Sequence, residues 1–362
     1  MMVQLFYRLL CKGDKEMDER LDEIKKNIQS FFDQGTVTIV GSGLSCAEGI
    51  SGMVQLSEKL IEDVPNKLKP ENMKTWEKVE DALKKGQDLE SALRQNRVTD
   101  EVEKVILDIT YERISSEDKA IFLDIIEKER KLKFSKYLSC FNVDLYNLTV
   151  ITTNYDLLIE YACETEGFFY TDSYCGKIIS KYSPVNAKEE MLQGVKNGKR
   201  AMNRYKPHIK LYKPHGSINW KLVNGGLNRI NHMDCGNPCI ITPGANKYEK
   251  GYEIPFDYHI GKMGEEIDCA TRLIFIGYGF NDNHLETHLK KHNNMCKPKL
   301  IITRTLSENA KKVAVNYPNT IAIEANILDN KMCGTKVYFG KEIHELEDIN
   351  LWDISELIRE VF

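Results

Sequence analysis

Apolar positions along this chain follow two patterns, one typical of amphipathic helices and the other of buried strands. From Asp18 to Asp33 apolar side chains recur every three or four residues between charged ones, which predicts a helix that ends before Gly35. Thr36 to Val40 is a run of β-branched residues, as in strands buried on both faces. Further runs of this kind are Leu148 to Thr152, Ile209 to Tyr212, Cys239 to Thr242, Leu273 to Gly277, Leu300 to Thr303 and Thr320 to Glu324. Because helical segments separate most of them, we predict an α/β fold built on a parallel sheet.

One long segment interrupts this alternation. Residues 53–147 have helical periodicity throughout and no strand pattern, although a plain crossover between parallel strands needs only about 30 residues. We therefore predict a helical insertion subdomain at 53–147, a main domain formed by 1–52 and 148–335, and a C-terminal tail at 336–362. Asn224 to Pro238 is rich in Gly and Asn and predicts a loop or hairpin.

Composition narrows the class of protein. The 362 residues include 50 Lys and Arg against 54 Asp and Glu, a net charge of -4, so direct nucleic-acid binding through a basic face is not expected. No apolar run approaches the length of about 18 residues that spans a bilayer, so we expect no membrane segment. Ten irregularly spaced cysteines and a start that lacks the features of a secretory signal indicate reduced thiols and a cytoplasmic location.

A glycine-containing loop follows the first predicted strand. Gly41-Ser42-Gly43-Leu-Ser45 places two glycines where a backbone turns tightly and approaches a pyrophosphate at a helix N-terminus. Position 46 is Cys, so the full G-x-G-x-x-G pattern is absent, and no Lys-Ser/Thr follows as in a P-loop. The loop predicts a nucleotide site, and a plain strand-to-helix turn explains it about equally well.

Polar residues also follow the second and third strands. Thr153, Asn154 and Asp156 come where ligands of open α/β sheets bind, which suits contacts to a ribose or a base, although helix capping would explain one of them. His215 is followed by Gly216 and could act as a general base or bind a sugar hydroxyl. A single histidine is more commonly structural.

The fourth cluster, Gly277-Tyr278-Gly-Phe-Asn-Asp282, ends a hydrophobic strand and would close the pocket from another side. His284, His288 and His292 follow at four-residue intervals and would share one helical face. No Glu follows the first of them as in H-E-x-x-H, so we expect no metal there.

In this order the four motifs resemble those of the SIR2 family, the sirtuin-type NAD-consuming proteins. Sirtuins carry Gly-Ala-Gly-Ile-Ser and Gly-Ile-Pro, where this chain has Gly41 to Ser45 and Gly49 to Ser51. Their Thr-Gln-Asn-Ile-Asp, His-Gly and Gly-Thr-Ser motifs are similar to Thr152 to Asp156, His215-Gly216 and Gly277 to Gly279. The resemblance implies a Rossmann-like sheet of the SIR2 type with NAD+ as substrate.

The departures from sirtuins point to a particular branch. No Asp-Phe-Arg follows Ser51, and only Cys235 and Cys239 stand where a zinc ribbon would have two cysteine pairs, so no zinc is expected. Asn154-Tyr-Asp156 and Gly277 to His284 resemble the SIR2-like proteins of bacterial antiviral defence. That branch implies an NAD+ glycohydrolase that depletes NAD+ during phage infection.

The resemblance also implies residue roles and partners. Asn154 and His215 would be catalytic, and the residues expected to bind NAD+ are Gly41, Ser42, Gly43, Ser45, Thr153, Asp156, Gly277 and Tyr278. We expect a homo-oligomer and a regulatory partner protein, with a HerA-type ATPase favoured. The alternatives are an NAD-dependent protein-lysine deacylase and a non-catalytic sensor of NAD or ADP-ribose.

Overall fold

The computed structural model describes residues 19–197, 200–231, 235–244, 251–340 and 342–362. Residues 19–29 are helical, and Ile24 and Ile28 of this segment are fully buried against the main sheet and its helices. The predicted first helix is confirmed over that range, while its proposed first residue, Asp18, lies outside the described residues.

A nine-stranded sheet forms the centre of the molecule, in the order β16-β15-β14-β13-β12-β1-β2-β8-β3. The pairs from β14 to β3 are parallel, and the two involving β15 are antiparallel. Its strands are β1 Thr36–Val40, β2 Leu148–Thr152, β3 Tyr170–Thr171, β8 Ile209–Tyr212, β12 Arg272–Ile276, β13 Lys299–Ile302, β14 Thr320–Leu328, β15 Lys331–Phe339 and β16 Glu342–Glu347. The predicted α/β class with a Rossmann-like parallel sheet is confirmed.

Helices cover both faces of the sheet and fill the long insertion. They are α1 Ser42–Glu48, α2 Met53–Lys67, α3 Pro70–Lys84, α4 Leu89–Gln95, α5 Asp100–Lys128, α6 Lys133–Leu138, α7 Leu158–Thr165, α8 Pro184–Glu189, α9 Phe256–Cys269, α10 Asn283–Leu289, α11 His292–Met295, α12 Glu308–Asn316 and α13 Ile354–Val361. None of the helices in the described part of the chain is long and apolar enough to cross a membrane.

The segment 53–147 contains helices and no strand, as predicted. Its helices α2 to α5 enclose a hydrophobic cluster of their own, in which Leu60, Trp76 and Val102 are fully buried. A second group of side chains from α5, including Ile114 and Ile121, joins the core of the main sheet. The long helix α5 therefore links the two cores. The division of the chain into domains stays a prediction.

A second sheet of five antiparallel strands, ordered β11-β9-β10-β5-β4, lies beside the first, with a separate hairpin of β6 and β7. The strands are β4 Tyr174–Cys175, β5 Ile179–Tyr182, β6 Leu192–Asn197, β7 Arg200–Tyr205, β9 Gly216–Val223, β10 Gly226–Ile230 and β11 Asn237–Ile240. Asn224 to Pro238 was predicted as a loop or hairpin, and Asn224 and Gly225 form the turn of a hairpin in which β10 pairs with β9. The predicted strand Cys239 to Thr242 was wrong in its placement, since β11 pairs antiparallel with β9 through a bulge at Pro238/Cys239.

The C-terminal segment differs from the predicted tail at 336–362. There β15 and β16 extend the main sheet, and α13 packs on α6 with Leu357 fully buried. Side chains alternate between buried and exposed along most of β16, and β15 is buried only near its middle, so neither strand has the continuous apolar run by which the central strands were predicted.

Candidate functional site

The glycine loop after β1 packs directly on the end of β12. Gly41 N donates to Ile276 O at 2.9 Å, and Gly43 N donates to Gly277 O at 2.9 Å. A Cβ on Gly41 would lie 2.6 Å from Gly277 O, and one on Gly43 would lie 2.6 Å from Gly277 Cα. Both glycines are therefore required by contact between the two backbones, independently of any phosphate that binds beside the loop.

Asn154 links the end of β2 to the glycine loop. Its Nδ2 donates to Gly41 O at 2.9 Å and to Ser45 Oγ at 2.8 Å, and Ser45 Oγ donates to Asp156 Oδ2 at 2.6 Å. Both amide hydrogens of Asn154 are used in these bonds, which leaves Oδ1 as its acceptor for a ligand or a water. Thr153 N donates to Val40 O at 3.3 Å, so a main-chain hydrogen bond also joins the ends of β1 and β2.

His215 lies against a carboxylate from another strand end. Its Nε2 lies 2.7 Å from Asp282 Oδ2, and both residues are buried. The other oxygen of Asp282, Oδ1, accepts from Leu285 N at 3.1 Å and caps α10. His215 Nε2 has no aligned hydrogen-bond partner among the described residues, so its contact with Asp282 is a close approach of the two side chains. Asp282 was quoted in the sequence motif, but nothing in the sequence indicated that it pairs with His215.

Gly216 holds the histidine loop against the antiparallel sheet. Its φ is +83°, and a Cβ there would lie 2.2 Å from Cys239 O. His215 O accepts from Ile241 N at 2.9 Å, and Tyr155 OH donates to Ile241 O at 2.7 Å. The second sheet therefore fixes the histidine loop from outside.

A buried ion pair lies beneath these residues, and the sequence analysis missed it. Lys213 Nζ donates to Glu160 Oε1 at 2.8 Å and to Asp156 O at 2.6 Å, with Lys213 fully buried. His259 accepts from Lys213 N at 3.3 Å, and burial together with the Lys213 charge lowers the pKa of His259 to about 3. Lys213 comes two residues before His215, but its pattern gave no sign of burial.

These contacts join all four sequence motifs at the carboxyl edge of the parallel strands. The glycine loop contacts Asn154 and Gly277, the histidine loop contacts Asp156 through Lys213, and His215 contacts Asp282. Ser42 is half-buried at the start of α1. The ring of Tyr278 instead lies in the core, with its centroid 5.0 Å from that of Phe280 and 6.0 Å from that of Phe275. The individual ligand-binding roles stay predictions.

A cavity of about 330 Å³ opens beside the glycine loop. Gly43, Cys46 and Gly277 line one side, and Arg304 and Trp352 line the other. Arg304 is exposed and forms no ion pair with any residue that the structure describes. The cavity is at the carboxyl ends of β12 and β13, which is where ligands of open α/β sheets bind.

Helix α4 of the insertion approaches the segment that follows β11. A Cβ on Gly244 would lie 4.0 Å from Leu93 Cβ of α4. Burial together with the negative charges of Glu90 and Asp282 raises the pKa of Tyr155, so α4 places a carboxylate close to the site. A helix of the insertion is thus part of the wall of the site.

The histidines considered for a metal do not share one helix. His284 and His288 are on α10, which ends at Leu289, and His292 begins the separate helix α11. The expected single helical face was therefore wrong. Cys235 and Cys239 are not joined by a disulfide, and over the described ranges no group of three or more His, Cys, Asp or Glu side chains could hold a metal ion.

Residues 148–314 match the family model of the SIR2-like domain. Over this range the chain is similar to that family. Its matched range runs from β2 into α12 and includes Asn154, Asp156, His215 and Gly277, whereas the glycine loop and the helical insertion lie before it.

Solved structures with some likeness to the chain include Sir2 proteins. One, from work on the mechanism and regulation of Sir2 enzymes, is 11% identical over 94% of this chain and 96% of that chain, with a TM-score of 0.39. A crystal structure of a Sir2 homologue in complex with NAD is 12% identical over 94% and 93%, with a TM-score of 0.39. No curated protein sequence matches the chain significantly.

The packing of the glycine loop predicts a large loss of stability on substitution of Gly277 and a small loss on substitution of Gly279, both in the loop after β12. Gly277 has φ +57°, and a Cβ there would lie 2.6 Å from Gly43 Cα, whereas the nearest atom to a Cβ on Gly279 is the side-chain atom Asn281 Nδ2 at 3.2 Å. Gly277→Ala should lower the free energy of unfolding by about 1–3 kcal/mol, and Gly279→Ala by less than about 0.5 kcal/mol. Urea denaturation measures both, and equal effects would contradict the packing argument.

A second prediction concerns Asp118 of α5, which caps the start of α7. Its Oδ1 accepts from Leu157 N at 2.8 Å, its Oδ2 accepts from Tyr161 OH at 2.6 Å, and burial raises the pKa of Asp118 to about 7. The unfolded chain ionises near pH 4 and the native chain near pH 7, so this group lowers stability as pH rises across that window. Asp118→Asn should remove the loss.

Denaturation at about pH 5 and about pH 8 checks this. The gain of Asp118→Asn over the unmodified chain should be larger at pH 8 by about 1–4 kcal/mol. Asp124→Asn, on the outer face of the same helix, is the matched control and should show the same difference at both pH values. A gain that is independent of pH would rule out the shifted carboxyl.

Proposed function

We propose that this protein is an NAD+ glycohydrolase that cleaves NAD+ to ADP-ribose and nicotinamide. The observation that carries the proposal is that Asn154 and His215, each only 8% exposed, are both anchored at the carboxyl edge of the parallel sheet, within the range that matches the SIR2-like domain. NAD+ is named as a ligand of one of the similar Sir2 structures. The cavity beside Gly43 and Arg304 offers space for the nucleotide end of such a substrate.

The side chains suit the chemistry that this reaction requires. Nicotinamide is already cationic in NAD+, so its departure needs no general acid, and the enzyme has to orient the ribose and supply a water. The free Oδ1 of Asn154 would accept a hydrogen bond from that water. His215, with Asp282 close to Nε2, would accept a proton from the water or a ribose hydroxyl through Nδ1. Asp156, bonded to Ser45, would hold the loop that faces the ribose.

The biological setting is part of the same proposal. Depletion of NAD+ in the cytoplasm during phage infection would make the protein a defence effector, held in check by a regulatory partner such as a HerA-type ATPase. Self-association through the insertion is supported by exposed apolar side chains of α5, including Phe122, Leu123 and Ile126, the last 64% exposed. Light scattering of the purified chain tests this, and a monomer at all concentrations would contradict it.

Removal of either proposed catalytic side chain should abolish NAD+ loss. We expect Asn154→Ala and His215→Ala each to lower turnover by about 10²- to 10⁴-fold, while the protein still unfolds cooperatively. His208→Ala is the matched control, because His208 is an equally buried histidine at the opposite end of β8. Chromatography of NAD+ reactions gives the products.

The products separate the alternatives. ADP-ribose and nicotinamide from NAD+ alone support hydrolysis. O-acyl-ADP-ribose formed only with an acyl-lysine peptide would establish a deacylase, and NAD+ binding with no product would establish a sensor. Full turnover by both variants would make the site assignment wrong.

The pairing of His215 with Asp282 predicts a positioning role for the carboxylate. Asp282→Asn keeps an oxygen for Leu285 N but would donate to Nε2, which moves the imidazole proton to Nδ1. We expect turnover to fall by about 10²- to 10⁴-fold with little change in KM or in the unfolding midpoint. Steady-state kinetics together with thermal unfolding measures both, and a rise in KM at constant kcat would place Asp282 in substrate binding instead.

A further inference from the structure

A second cavity, of about 630 Å³, lies between α5, α7 and the antiparallel sheet. We call it the lateral cavity and define it by Tyr111 and Lys119 of α5, Glu160 and Tyr161 of α7, Lys177 of the β4–β5 turn and Asn219 of β9. Its volume is within the range of pockets that bind small molecules. None of the residues expected to bind NAD+ lines it.

The inner wall of the lateral cavity carries two buried acceptor atoms. Glu160 and Asn219 are each 4% exposed. Glu160 uses Oε1 for Lys213, but its Oε2 has no hydrogen-bond partner among the residues described, and neither has Asn219 Oδ1. Buried acceptors without partners are costly, so the wall favours a ligand that brings hydrogen-bond donors.

Aromatic rings form the sides. Tyr111, Phe122, Tyr161 and Tyr170 all line the cavity, and the centroids of Phe122 and Tyr161 are 5.5 Å apart. Ring faces of this kind pack against flat, polarisable groups. A planar heterocycle therefore fits between the acceptors and the opening.

The opening has a surplus of free positive charge. Lys119 and Lys177 are exposed and form no ion pair within the described part of the chain. Glu112 pairs with Lys67 at 2.8 Å, whereas Glu164 accepts from the neutral Tyr170 OH at 3.3 Å and keeps its charge, so the two lysines exceed it by one positive charge. Two exposed ammonium groups that line one cavity suit a phosphate.

We propose that the lateral cavity is a second ligand site, which binds a mononucleotide whose base carries an exocyclic amino group. The amine donates to Glu160 Oε2 and Asn219 Oδ1, the base lies against the tyrosine rings, and the phosphate meets Lys119 and Lys177. The proposal goes beyond the glycohydrolase function and does not depend on it.

Calorimetric titration of the full chain with AMP tests the site. Lys119→Glu with Lys177→Glu should weaken AMP binding about tenfold or more. The matched control is Lys74→Glu with Lys78→Glu, two exposed lysines of the insertion that lie outside the cavity. All four positions are on the surface, so the variants should fold.

IMP replaces the exocyclic amine of AMP with a carbonyl oxygen and should bind about tenfold more weakly or worse, because the buried acceptors would face another acceptor. The proposal is overturned by undetectable AMP binding at millimolar concentration, by equal binding of AMP and IMP, or by AMP binding that the Lys119/Lys177 pair does not change. The last result would place AMP in the NAD+ cavity. Since the titration requires no turnover, its outcome is separate from that of the glycohydrolase test.

Discussion

Strand β1 is hydrogen-bonded in parallel to both β2 and β12, and the whole site depends on that pairing. Parallel neighbouring strands end at the same edge of the sheet, so their pairing alone brings together the loops after Val40, Thr152 and Ile276. Close approach of these loops requires residues without a Cβ, which explains why Gly41 and Gly43 pack against Gly277. Once this contact is formed, Gly41 O is in place for Asn154.

Burial of charge makes the site rigid and also costly. Lys213 and Glu160 are both removed from water, and their attraction offsets the loss of hydration only because Lys213 also donates to Asp156 O. The same ammonium thus connects the loop after β2, helix α7 and the wall of the lateral cavity. Removing one partner would leave the other buried without a counter-charge, a larger penalty than the loss of a surface ion pair.

The sequence predicted those features that depend on the residues of a single strand or loop. Central strands such as β1, β12 and β13 are covered on both faces, so each appeared as a continuous apolar run. Strand β5 is only half-covered, and β15 has Gly334, Thr335 and Lys336 at its centre, so neither is a continuous apolar run. The four motifs likewise follow apolar runs directly in the sequence, so their location at strand ends could be predicted. The partner of His215, the burial of Lys213 and the lateral cavity each depend on residues distant in sequence, which no local pattern encodes.

The helical insertion connects these features to the proposed chemistry. Helix α4 brings Leu93 and the charge of Glu90 to the site, and α5 supplies Asp118, which caps α7 beside Asp156. A hydrolase must admit one oriented water to the sugar while limiting bulk solvent, because fixed dipoles act more strongly where water is excluded. Asn154 and His215 are nearly buried in the same arrangement. The insertion therefore acts as a wall of the reaction site in addition to enclosing its own core, and any partner that shifts α4 or α5 would change the access of water to His215.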